Sequence, residues 1–237
     1  MKTFVSLSLL FAVLCGCSPK YYTPNSQNVP LIHKQGQTVI NGAFAGSRAE
    51  LQGAYGVGEH TAVQLNAGAF FPKDIDGGDG GSGQFLEGGV GYYSRVAEKF
   101  VLETYGLFGA GAVKNKFPST VSSEPGTDGR LSANLFRYGV QPSFGFFSKY
   151  FSAAISARFA MLSYTNISGN LIYASENQQQ YLSDNRNSFL IEPALTLRAG
   201  IDKIKLQLQF VHSSNVSNPS FKQDVNITTL GVSLNFN

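Results

Sequence analysis

Residues 48–71 read RAELQGAYGVGEHTAVQLNAGAFF. Ala49, Leu51, Gly53, Tyr55 and Val57 alternate with Arg48, Glu50, Gln52, Ala54 and Gly56. After Gly58-Glu59-His60, Val63, Leu65, Ala67 and Ala69 alternate with Gln64 and Asn66. Side chains of a strand point alternately to its two faces, so this period of two describes two strands joined by a tight turn, each with one apolar and one polar face.

The same scheme recurs along the chain. Phe136, Tyr138, Val140, Phe144 and Phe146 oppose Arg137, Gln141 and Ser143; Phe151, Ala153, Ile155, Ala157, Phe159 and Met161 oppose Ser152, Ser156 and Arg158. Phe189, Ile191, Leu195 and Leu197 oppose Glu192, Thr196 and Arg198, and Ile204, Leu206, Leu208 and Phe210 oppose Lys205, Gln207 and Gln209. The pattern predicts an all-β, antiparallel up-and-down transmembrane barrel over residues 37–237, of about ten strands of about ten residues, the length a tilted strand needs to cross a bilayer. Short turns (Gly58–His60, Val96–Lys99, Phe147–Lys149, Gly200–Lys203) alternate with long polar loops (Pro72–Gln84, Lys114–Arg130, Tyr164–Asn187, Ser213–Asp224), and only the hairpin at Gly46-Ser47 breaks the rule. Barrels of the outer membrane have short periplasmic turns and long outer loops, and an even strand number puts both ends of the barrel in the periplasm. Gly231 to Phe236 resembles the terminal-strand signal read by the barrel-assembly machinery.

Composition agrees. Charged residues are 14% of the chain, against about a quarter in soluble domains, while aromatics reach 13% with no Trp. After the N-terminal twenty residues no apolar run is long enough for a membrane helix, which excludes a helical membrane protein.

The first residues form a secretory signal: Lys2, an apolar run from Phe4 to Leu14, then small residues. Leu14-Cys15-Gly16-Cys17 resembles the lipobox of bacterial lipoproteins, which implies removal of residues 1–16 and acylation, including palmitate, of Cys17. Cleavage leaves seventeen Lys and Arg against fifteen Asp and Glu, a net +2, too little for a nucleic-acid reader. Cys15 and Cys17 are the only cysteines, so the mature domain has no thiol for a disulfide. Ser18 follows Cys17 in place of an inner-membrane retention aspartate, which by resemblance implies sorting to the outer membrane by the lipoprotein machinery. Residues 17–36 are polar and proline-bearing and read as a lipidated tether. Within them, Tyr22-Thr23-Pro24-Asn25-Ser26-Gln27-Asn28-Val29-Pro30-Leu31 resembles the opening segment of a family of uncharacterised outer-membrane β-barrel lipoproteins; the resemblance implies location and fold class, and no activity. With both barrel ends in the periplasm, the lipid on Cys17 is expected in the periplasmic leaflet.

Alternation alone does not say which face points inward. A soluble, lipid-tethered periplasmic barrel would line a ligand cavity with the apolar face. Loop asymmetry, the terminal Phe strand and aromatics near strand ends (Phe100, Phe151, Phe236) favour the membrane. The polar face then places Arg48, Glu50, Glu87, Arg95, Glu103, Arg137, Arg158, Glu192, Arg198 and Lys205 in the lumen, a near-balanced set expected to pair and plug it. Pro142 and Pro193 fall mid-strand, where ladder bonds would be lost without a bulge.

One constellation carries possible chemistry. His212-Ser213-Ser214-Asn215 resembles the catalytic segment of outer-membrane lipid A deacylases, in which a His activates a Ser on the lipid-facing wall. The resemblance assigns catalytic roles to His212 and Ser214. The family's orienting glutamate matches Asn226 here, so Asp224 would have to substitute. Asp74, Asp76 and Asp79 have cation-binding spacing without the EF-hand glycine and closing glutamate, and read as a flexible acidic loop. His33, His60 and His212 fall in tether, periplasmic turn and outer loop, so no metal site or cofactor is implied. The sequons at Asn166, Asn215 and Asn226 are incidental in a bacterial lipoprotein. The favoured reading is a non-enzymatic barrel with a structural or surface-interaction role, partnered by outer-membrane lipids and not by nucleic acid. The alternatives are the acyl hydrolase and the tethered ligand-binding barrel.

Overall fold

The structure, a computed structural model, describes residues 18–71 and 78–236. The signal segment and Cys17 lie outside the described residues, as do Asp74 and Asp76. Ten antiparallel strands form the wall: β1 (Thr38–Phe44), β2 (Arg48–Gly56), β3 (Thr61–Phe70), β4 (Gly80–Ala97), β5 (Phe100–Lys116), β6 (Arg130–Phe147), β7 (Phe151–Gly169), β8 (Asn187–Gly200), β9 (Ile204–His212) and β10 (Asn226–Phe236). Each pairs with its sequence neighbour, and β10 closes on β1 from Thr38↔Phe236 to Phe44↔Leu230. Closure leaves no free sheet edge, as a wall in hydrocarbon requires.

The faces are inverted relative to a soluble barrel. Leu65 is 57% exposed and Leu206 70%, while Gln64 and Gln209, on the other face, are at most 4% exposed. Apolar side chains coat the outside and polar ones fill the lumen, the distribution of a transmembrane barrel. A soluble barrel with an apolar ligand cavity is excluded by the same observation. Phe100, Phe151 and Phe236 are exposed at the short-turn rim and begin an aromatic girdle.

Strand length departs from the expected ten residues. β4 to β7 run 18, 17, 18 and 19 residues, so the wall continues beyond a bilayer on the long-loop side. The expected loop beginning at Tyr164 therefore starts only after Gly169, and that ending at Gln84 ends at Gly80. The prolines need no break in the barrel. Pro142 is paired with Thr104 of β5, in a gap of the β6–β7 ladder between Val140 and Ser143; Pro193 pairs with Ala157 of β7. An antiparallel residue donates to one neighbour only, so each proline costs the ladder little.

The largest correction concerns residues 18–36. They are not a solvated tether but run down the middle of the lumen. Asn115 Nδ2 donates to Lys20 O (3.0 Å), and Tyr21 N donates to Lys222 O (2.9 Å), both at the long-loop end. Arg48 donates to Pro24 O (3.1 Å); Ser26 N donates to Glu50 (2.9 Å) and Gln27 N to Gln209 Oε1 (2.7 Å). Lower still, Arg198 donates to Val29 O (2.7 Å), the N–H groups of Leu31 and Ile32 both donate to Glu103 (3.1 and 2.8 Å), and Gly36 N donates to Gly56 O (2.8 Å) at the short-turn end. An extended segment buried outside a sheet has unpaired backbone groups, and here wall side chains satisfy them.

Leu31 takes φ 56°, a left-handed conformation that costs a non-glycine residue about 1 kcal/mol or more. In return, two successive N–H groups converge on one carboxylate. Gly56 and Gly145 make room for the turn: a Cβ at either would lie 2.8 Å from Lys34 O or 2.5 Å from Leu31 Cδ2.

Two small apolar cores flank the polar middle. Tyr21 and Tyr22 join Phe117, Leu162, Leu182 and Phe221 under the long loops, whereas Val29, Leu31 and Ile32 join Tyr93, Val101 and Tyr105 near the short turns. The upper core is roofed by α1 (Ser119–Ser123), α2 (Gln178–Asp184) and the small hairpin Ile172–Tyr173/Glu176–Asn177; Asn177 caps α2 by accepting from Gln180 N.

Candidate functional site

The expected lumen charges divide into several groups. Arg137 donates to Glu87 through Nε (3.1 Å) and Nη2 (2.8 Å), and Arg158 donates to Glu192 through Nε (2.6 Å). Arg158 and Glu87 are 3.9 Å apart, so the four form one buried row. Tyr22 ties the N-terminal segment into this row, since its hydroxyl donates to Glu192 Oε1 (2.9 Å) and accepts from Arg137 (2.6 Å). Arg137 also lies 4.4 Å from the centroid of the Phe85 ring, and its Nη2 donates to Asn25 Oδ1 (2.8 Å) as well as to Glu87.

The remaining members are engaged separately. Glu50, Glu103 and Arg198 hold the N-terminal segment; Arg48 pairs with Asp224 at the long-loop mouth (2.6 Å). Lys205 donates to Ser148 O (2.6 Å) at the short-turn end. Arg95 is not in the lumen network: it is exposed on the short-turn rim and donates to Glu98 O (3.0 Å). The lumen is thus filled by ion pairs and by the chain's own N-terminal segment together. Of the histidines, His33 stacks on Phe147 (centroids 4.0 Å apart) at the inner end of the lumen. Among the described residues, no group of three His, Cys, Asp or Glu side chains is placed to hold a metal. Asp79 accepts from Ser119 N (3.1 Å).

On the outer wall, β9 and β10 place His212 opposite Asn226, and Ser214 follows two residues later in a short bridge to Ile191. The period of two puts His212 and Ser214 on the same outward face while Ser213 is buried. His212 Nδ1 lies 2.7 Å from Asn226 Oδ1, and Nε2 lies 3.1 Å from Ser214 Oγ. An amide oxygen only accepts, so Nδ1 carries the proton and Nε2 is free to accept the hydroxyl proton of Ser214. This is the polarity a general base needs toward a hydroxyl nucleophile.

Asp224 does not take part. Its Oδ2 accepts from Arg48 (2.6 Å) and Thr23 Oγ1 (2.8 Å), so the expected substitution for a missing carboxylate is replaced by Asn226 as orienting group. Beside His212 a shallow groove crosses the wall, lined by Ile155, Pro193, Leu195, Phe210 and Thr228. It lies on the membrane side of the polar row, because Phe210↔Thr228 is the register pair two steps down β9 from His212↔Asn226.

In the cap, Lys222 Nζ donates to Glu176 (2.6 Å) and Gln178 (2.6 Å), joining the last long loop to the roof. The ammonium beside Glu176 holds its carboxyl below the ordinary carboxylate range.

Fold and site together define a self-plugged, ten-stranded transmembrane β-barrel with a Ser-His-Asn row on its outer wall. Among solved structures the chain is similar to LpxR from Salmonella typhimurium, with 10% identity, a TM-score of 0.37, and coverage of 84% of this chain and 99% of that one. No family model matches the chain, and no curated protein matches it.

Proposed function

We propose that the protein is a non-conducting outer-membrane barrel with a structural or surface-interaction role, acting through its outer wall and its loop cap. The observation that carries this is the run of residues 18–36, bonded to the wall from mouth to base, which occupies the middle of the lumen where a solute would have to pass. A pore would need a lumen lined for passage, usually by one sign of charge; this one is closed by paired Arg and Glu. Cell fractionation and heat-modifiable gel migration test the membrane barrel, and planar-bilayer recording tests closure. Steady conductance of the intact protein would sink the closed reading.

A second reading is favoured by the Ser214–His212–Asn226 row at the head of an apolar groove: hydrolysis of an acyl ester of a membrane lipid. Ser214 Oγ would attack the ester carbonyl as His212 Nε2 takes its proton. The proton passes to the departing alcohol, and water then releases the fatty acid from the acyl-serine. Asn in place of a carboxylate orients the ring without stabilising the imidazolium, so a slow enzyme is expected. Fatty-acid release from phospholipid or lipid A in detergent micelles, lost in Ser214→Ala, tests it; no release by the wild type refutes it.

A further inference from the structure

The N-terminal segment has a direction, and the direction has a consequence. Lys20, Tyr21 and Tyr22 are bound at the long-loop end: Lys20 to Asn115 at the far end of β5, Tyr21 to Lys222, and Tyr22 in a bridge to Gln223. Successive residues then meet Glu50, Gln209, Arg198 and Glu103 at successively lower levels, until Gly36 bonds to Gly56 beside the short turns and β1 begins. The descent is in one direction, without a return.

We propose that the chain is threaded through its own barrel, with Ser18 to Lys20 at the cell surface and any lipid on the residue preceding Ser18 in the outer leaflet. The reach of the chain makes the alternative impossible with this fold. One residue spans about 3.8 Å, whereas the apolar band of such a barrel is about 25 Å tall. A residue joined directly to Ser18 therefore cannot come back to the periplasmic face, and the lumen is already occupied. The inference rests on the outer-membrane reading, through the rule that long loops face outward. It reverses the periplasmic-leaflet placement expected from strand parity, which assumed that residues 17–36 lie outside the barrel.

The test uses the full chain in intact cells with a membrane-impermeant maleimide. Three added-cysteine reporters are compared with the parent chain, whose Cys15 and Cys17 set the background: Lys20→Cys on the segment, Ser220→Cys in a long loop and Glu59→Cys in a short turn. Lys20→Cys and Ser220→Cys are expected to label equally before and after the outer membrane is permeabilised, and Glu59→Cys only after. Labelling of Lys20→Cys only after permeabilisation, with Ser220→Cys labelled before, would overturn the threading. A short epitope inserted after Ser18, detected by antibody on intact cells, gives a second readout independent of maleimide access at Lys20. Folding of each variant is checked by heat-modifiable migration. Recovery outside the outer-membrane fraction would instead defeat the membrane reading, and labelling of Glu59→Cys alone in intact cells would show an inverted barrel and overturn the proposal.

Discussion

The hydroxyl of Tyr22 donates to Glu192 Oε1 at 2.9 Å while accepting from Arg137 at 2.6 Å, so a residue from the N-terminal segment sits between two buried ion pairs of the wall. Removing that hydroxyl leaves a buried carboxylate and a buried guanidinium each short of a partner. Tyr22→Phe is expected to cost about 1–3 kcal/mol, the price of an unsatisfied buried polar group. Urea unfolding in micelles measures it, and an unchanged midpoint would show that the segment adds no stability at this level.

The pair Glu87–Arg137 predicts a larger effect of a different kind. Glu87→Gln leaves Arg137 charged, buried and without its carboxylate, at about 3–5 kcal/mol. Adding Arg137→Met is expected to recover most of that loss. A double-mutant cycle reads the coupling, and additive losses would contradict a direct pair.

The outer face can be tested by one residue. Leu65 is 57% exposed in mid-strand, so Leu65→Arg would be nearly neutral in a soluble barrel. In a bilayer it is expected to destabilise folding by about 2–4 kcal/mol. Refolding into lipid vesicles gives the value, and a neutral result there would place Leu65 outside hydrocarbon.

For the hydrolytic reading, Asn226 is the informative position. Replacing the orienting carboxylate by an amide lowers turnover about 10⁴-fold in serine-protease triads. Asn226→Asp is therefore expected to raise ester hydrolysis, while Asn226→Ala and His212→Ala lower it. Initial rates on a short-chain ester in micelles decide this, and equal rates in all three would detach the row from any activity.

Closure predicts conductance on opening. Deleting residues 18–36 removes the ligands of Glu50, Glu103 and Arg198 and is expected to turn a silent barrel into a conducting one in planar bilayers. A silent deletion variant that still shows heat-modifiable migration would mean that the wall side chains alone close the lumen.

Much of this molecule was legible in its sequence. The alternation of Leu51 with Gln52 and Leu65 with Gln64 determined strands and their two faces, because side-chain direction has a period of two whatever the partners are. Loop asymmetry gave an expected direction for the barrel, and the parity of His212 and Ser214 already placed both on one face. The tertiary structure alone decided what fills the lumen. Tyr22-Thr23-Pro24-Asn25-Ser26-Gln27-Asn28 has no periodicity, and its polar groups would be as well satisfied by water as by Glu50, Gln209 and Glu192. Its uncharged run, preceded by Tyr21 and followed by Val29, Leu31 and Ile32, was a sign of burial that the sequence carried. Likewise, only the register His212↔Asn226 and the capture of Asp224 by Arg48 showed which residue orients the imidazole, because that choice depends on distances between segments far apart in the chain.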